Sequence, residues 1–238
     1  MKSLIAVTVL AMATGTVLAG PLYSNGPVIG AGNLSVLGPS AVTQGFGAQA
    51  TSNNSVADDF TVGNGLVWTL SDIDFFVYQN NATSFTLQTV LWSIVEGNVN
   101  SGQVVASGTS ALTSGGFLGY RVASNQPSSK IRPIYRANAD IVDLTLDEGH
   151  YWLRWSMTGS LSSGPWQPPT ADAIVGNATQ SLAGGAFSTL ADGGSRKGVE
   201  LPFQLNGMAA NAVPEPSGAL LALGAGLAAL LAVRRRRT

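Results

Sequence analysis

The chain has 238 residues with 45% apolar content, 29 Gly, no Cys, one His and only 11% charged residues, against roughly 25% charged in an average soluble chain. This excludes a disordered or coiled-coil protein, a disulfide framework, thiol chemistry and any site needing two imidazoles. Between positions 20 and 213, seven basic residues stand against twelve acidic ones, a net charge of −5, so the clustered Lys/Arg that nucleic acid requires is missing.

Met1-Lys2 followed by an apolar run from Leu4 to Ala19 has the anatomy of a secretory signal peptide. Val17-Leu18-Ala19 puts small residues at the −3 and −1 positions. The expectation is export and a cut after Ala19 by signal peptidase, which makes residues 1–19 a removable leader. Thr8, Thr14, Gly15 and Thr16 weaken the run as a stable span, and Gly20-Pro21 breaks it.

Residues 20–212 read as one all-β domain. Residues 20–55 are polar, Gly-rich and poorly patterned, so they predict a loosely structured segment with one or two weak strands. Trp68–Tyr78 and Phe85–Val95 are rich in β-branched and aromatic residues, with Glu96-Gly97-Asn98 as a turn. Ile141–Leu146 predicts a strand with Val142, Leu144 and Leu146 on one face. Asp147-Glu148-Gly149 turns the chain into His150–Thr158, where Tyr151, Leu153, Trp155 and Met157 share a face. Residues 159–196 predict long loops. Val199–Leu205 predicts a last strand, placed at an edge by Pro202. No sustained 3.6-residue apolar period appears. Many short strands with Gly-rich turns, long links and this length predict a jelly-roll-like β-sandwich.

Candidate chemistry is sparse. His150 follows Asp147 and Glu148, but no G-x-S-x-G elbow accompanies it, and a β-turn feeding a strand is the simpler reading. Glu96, Glu148 and Glu200 suit a two-carboxylate glycosidase by residue type alone, so we expect no enzyme. Asp58 and Asp59, with Asp72 and Asp74 a strand away, could offer oxygen ligands to Ca²⁺. Solvated strand-edge acids are the plainer reading, and no cofactor is expected. Trp166, in the Pro-rich stretch SSGPWQPPT, could present a flat indole to a sugar ring, with Gln167 and Asn177 as polar partners. Its alternative role is to cap the core.

The C-terminal segment is more specific. Val213-Pro214-Glu215-Pro216 precedes Ser217, an apolar run from Gly218 to Val233, and Arg234-Arg235-Arg236-Arg237. The 17 residues from Ser217 to Val233 lie at the lower limit for a bilayer-spanning helix. At about 1.5 Å per residue they reach roughly 25 Å. The arginines should stay in the cytoplasm, which leaves the body on the far side. Pro214 and Pro216 keep the stretch ahead of the helix extended.

This arrangement over 213–238 resembles the PEP-CTERM sorting signal of Gram-negative bacteria. The resemblance implies recognition by an exosortase, a membrane-embedded transpeptidase-like protease that removes the hydrophobic tail. It also implies transit to the outer surface or exopolysaccharide matrix. The body resembles those carried by such signals in Asp58-Asp59-Phe60, Phe75-Phe76-Val77-Tyr78 and Tyr151-Trp152-Leu153, a likeness that brings no established activity. The expectation is a structural or adhesive surface protein, with a carbohydrate-binding module of the matrix as the alternative.

Overall fold

The computed structural model describes residues 18–212, apart from Pro39 and Ala173. The expected signal peptide up to residue 17 and the sorting segment 213–238 lie outside the described residues. Among the described residues no helix is long and apolar enough to cross a membrane.

The fold is all-β. The thirteen strands among the described residues begin with β1 (Leu18–Ser24), β2 (Leu34–Val36), β3 (Phe46–Gly47), β4 (Ser55–Val62), β5 (Leu66–Val77), β6 (Leu87–Glu96) and β7 (Gln103–Val122). They continue as β8 (Pro133–Leu146), β9 (Gly149–Gly159), β10 (Trp166–Gln167), β11 (Thr179–Ser181), β12 (Ser188–Thr189) and β13 (Phe203–Asn211). One curled sheet runs β1-β13-β5-β8-β7-β6-β9-β4-β11-β12, with β2 beside β7, while β3 and β10 pair separately. All pairs are antiparallel except β2 with β7.

The order follows from a simple winding. Strand β4 pairs with β9, β5 with β8 and β6 with β7, so the chain forms one long hairpin that is then rolled up. β7 makes the roll possible. Its residues from Gln103 to Ala111 pair with β6, and those from Leu112 to Tyr120 pair with β8. The two halves of the sheet thus face each other across one core. Ring contacts cross the gap: Phe75 to Trp155 at 5.6 Å, Trp155 to Phe203 at 5.9 Å and Phe60 to Phe203 at 6.3 Å. In β9 the alternation is as expected, with Tyr151, Leu153, Trp155 and Met157 all in this core.

Several elements differ from the sequence expectation. β8 starts eight residues earlier than Ile141, and Val142 points outward at 90% exposure. The reason is a bulge: Leu70 pairs with Leu144 but Asp72 with Asp140, so three residues of β8 oppose Ser71 alone. The two extra residues break the alternation of β8 there, and Ile141 instead of Val142 enters the core. Pro202 does not mark an edge. It precedes β13, which lies inside the sheet between β1 and β5. Residues 20–55 are also better ordered than their composition suggests. β1 covers the outer side of β13, and Tyr23 packs on Phe203 and Phe60 at 5.4 and 6.0 Å.

Candidate functional site

Asp58 occupies a core-facing position of β4, between Val56 and Phe60, and is 0% exposed. Its Oδ2 accepts the Leu201 amide and Asn25 Nδ2, both at 2.7 Å, and Oδ1 accepts the Asp59 amide at 2.9 Å. Asn25 Nδ2 also donates to Glu200 Oε2 at 3.0 Å, so the amide bridges two carboxyl groups. Burial, then the neighbouring Glu200 charge, push the Asp58 pKa up to about 9, against the opposing pull of the Leu201 and Asp59 amides. Burial and the facing Glu200 thus favour the protonated form of Asp58 in the fold, with the Asn25 amide set between the two carboxyl groups.

The consequence for stability has a definite sign. The folded chain keeps a proton on Asp58 that the unfolded chain sheds near the ordinary carboxyl value of about 4. Stability must then fall as pH rises from there towards 9. Glu200→Gln removes the facing charge, and thermal unfolding at pH 5 and pH 8 should show a flatter profile. The gain at pH 8 should be on the order of 1 kcal/mol, or about 2–4 °C for a domain of this size. Identical pH profiles for the two proteins would refute the assignment.

The other acids predicted from sequence lie elsewhere. Asp72 and Asp74 are on the face of β5 opposite Ile73 and Phe75, where the Asn138 and Asn206 side-chain amides bridge them at 2.7–3.2 Å. They do not join Asp58 and Asp59. Among the described residues no group of three acids or histidines could hold a metal ion, so the Ca²⁺ arrangement drawn from these four positions is not formed. His150 pairs with Asp59, Nε2 to Oδ2 at 2.6 Å, and not with its sequence neighbours. Glu148 accepts the Gly65 amide at a turn.

The expected sugar-binding trio does not converge. Gln167 is fully buried, where its Oε1 accepts Trp155 Nε1 at 3.3 Å and its Nε2 donates to Pro202 O at 3.2 Å. That removes it from any surface contact. Trp166 is half-buried against a small cluster of Val28, Phe76, Tyr78 and Ile134. Asn177 is exposed in the loop before β11.

A different aromatic surface is present. Phe117, Tyr120 and Tyr135 line an open groove of about 690 Å³ together with Asn81, Thr83 and Lys130. Phe117 is 48% exposed, and its ring lies 5.0 Å from Tyr120 and 5.7 Å from Tyr135. Phe85 buttresses Tyr135 edge-on at 5.9 Å. Two irregularities in the β7–β8 register bracket Phe117, one before Gly116 and one before Gly119. Such bulges re-aim a side chain out of the pleat. The first needs glycine, because Gly116 has φ +104°. At Gly119 a Cβ would meet the Asn33 carbonyl oxygen, so the chain segment before β2 can lie against β7 only with glycine there. Burial pushes the Tyr135 pKa up, which keeps its phenol a neutral donor.

The sequence reading missed this groove because β7 carries no clear alternation. The available signal was the pairing of two aromatic runs, Phe117–Tyr120 and Pro133–Tyr135, across a short polar link. Neither a curated protein nor a solved structure matches the chain. Residues 212–237 match the family model described as the PEP-CTERM protein-sorting motif, and the chain is accordingly one that is exported, processed by an exosortase and sorted to the cell envelope or surface.

Proposed function

We propose that the protein is a non-catalytic adhesive component of the Gram-negative cell surface that binds extracellular polysaccharide through the Phe117–Tyr120–Tyr135 groove. The observation that carries this reading is the groove itself. Exposed rings offer apolar faces to sugar C–H groups, while Asn81, Thr83 and Lys130 offer hydrogen bonds along the same wall. Its volume lies within the roughly 300–1,000 Å³ of ordinary ligand clefts. The nested pairing of β4–β6 with β7–β9 supports a jelly-roll-like sandwich as the scaffold. Export begins with signal peptidase cutting after Ala19, and Ser217–Val233 forms a transient membrane helix until the exosortase acts.

A glycan array probed with the full chain in mild detergent tests the binding. Selective binding to a set of polysaccharides is expected, weakened about tenfold or more by Phe117→Ala or Tyr135→Ala, as for aromatic anchors at other interfaces. Val142→Ser, on exposed strand surface elsewhere, should leave it unchanged. Absence of selective binding would remove the reading in favour of a purely structural body.

A further inference from the structure

A second cavity, of about 210 Å³, opens on the other side of β7. Tyr120 lines the aromatic groove, and the next residue, Arg121, lines this cavity. Arg121 is 2% exposed, and among the described residues its guanidinium hydrogen-bonds only to neutral oxygens. Nη1 donates to Ser35 Oγ at 2.9 Å, Nε to the Gln44 carbonyl at 3.2 Å and Nη2 to the Thr43 carbonyl at 3.4 Å. Of its five N–H donors, two have no partner among the described residues. Neither of the two ion pairs among the described residues includes it.

Asp192 is the carboxylate lining the cavity, but its oxygens are already taken. They accept the amides of Val42, Thr43, Gly194 and Ser195 at 2.7–3.0 Å. Burial favours its protonation, yet these amides prevail and hold its pKa well below the usual carboxylate range. For Arg121, burial is the largest influence and draws its pKa down to about 10, while Tyr78 and Asp192 pull the other way. A buried cation whose hydrogen bonds among the described residues all go to neutral groups carries a desolvation cost that a bound anion would offset. Thr170 lines the same cavity at 3% exposure, and its Oγ1 has no hydrogen-bond partner among the described residues.

We propose that this cavity is a subsite for the carboxylate of an acidic sugar residue. Arg121 receives the carboxylate and Thr170 donates its free hydroxyl. Lys197, exposed at the rim, adds positive charge, and Pro169, Ile174 and Val199 form an apolar wall for the C–H face of the ring. The volume is below the roughly 300 Å³ of the smallest drug-sized clefts, which suits one sugar unit and not a chain. Carboxylate and apolar wall together select a uronate over a bare inorganic anion. The groove and the cavity use different residues, so this inference stands apart from the groove reading and fails separately.

The test is calorimetric titration of the full chain in mild detergent with sodium glucuronate, its methyl ester, glucose and acetate. Glucuronate should bind at least about tenfold more tightly than its ester or glucose, since the ester cannot form charge-assisted hydrogen bonds. Thr170→Val and Lys197→Ala, which leave the buried charge in place, should each weaken glucuronate by about threefold or more. Arg121→Gln, checked for folding by circular dichroism, should abolish binding. Equal affinity for acid and ester, or full affinity in both Thr170→Val and Lys197→Ala, would overturn the proposal. Acetate binding as tightly as glucuronate would also overturn it, by assigning the site to free small carboxylates.

Discussion

Replacing Pro214, Glu215 and Pro216 together with alanine should leave the protein uncut and confined to the inner membrane. Wild-type protein should instead lose the segment from Gly218 to Thr238 and leave that membrane. Each proline fixes φ, removes an amide donor and restrains the residue before it. Alanine is the strongest helix former, so the substituted stretch would favour joining any helix formed by the apolar run from Gly218 to Val233. The protease would then meet helix where it needs extended chain. Intact-mass measurement of each cell fraction reads the result. A mature protein of wild-type mass outside the inner membrane would show that the motif is dispensable.

Phe203→Ala should be the most damaging single truncation in the body. Phe203 is fully buried and its ring meets Tyr23, Phe60 and Trp155, so it joins β1, β4, β9 and β13. Removing a buried Phe costs about 3–5 kcal/mol, part transfer and part cavity. For a domain of this size that is a fall of about 10 °C in Tm. Trp155→Leu combined with it should cost less than the two separately, because both truncations open the same space. Val142→Ala, on the exposed bulge, should stay within about 0.5 kcal/mol of wild type. A Phe203→Ala protein melting within about 2 °C of wild type would mean that the two halves of the sheet do not depend on this contact.

The C-terminal end of the chain was legible because its information is local: a Pro-Glu-Pro step, an apolar run and an arginine block. Strands β5, β6 and β9 were legible for a related reason. Each is a dense run of aliphatic, aromatic and β-branched residues, a signal that is likewise local. β7 was not, since half of its residues are exposed or half-buried Ser, Thr, Gly and Ala, which any loop could contain. The phase of β8 was lost at one bulge, whose cause lies in its partner β5. The order of β1 depends on residues 204–209, far along the chain. Distance also hid the sites. Asp58 and Glu200 each read as surface acids, and only the rolled sheet brings them together. Trp166 drew attention as a conspicuous aromatic on a stiff loop, whereas the open aromatic wall comes from two strands and a connecting loop.

The sheet also sets which way the molecule stands. Leu66, at one end of β5, pairs with Asn211, and Ala212 donates its amide to Gly65. Only Val213 separates that point from Pro214. Val77, at the other end of β5, pairs with Tyr135 in the groove wall. Eleven residue steps separate the two ends of β5, or roughly 35 Å at about 3.3 Å each. Were Ser217–Val233 to span the bilayer as proposed, the Leu66–Asn211 end would be the foot of the body. The groove and the Arg121 cavity would then lie at the crown, turned towards the surroundings. Cutting the tail would free the molecule to travel without being needed to uncover either surface.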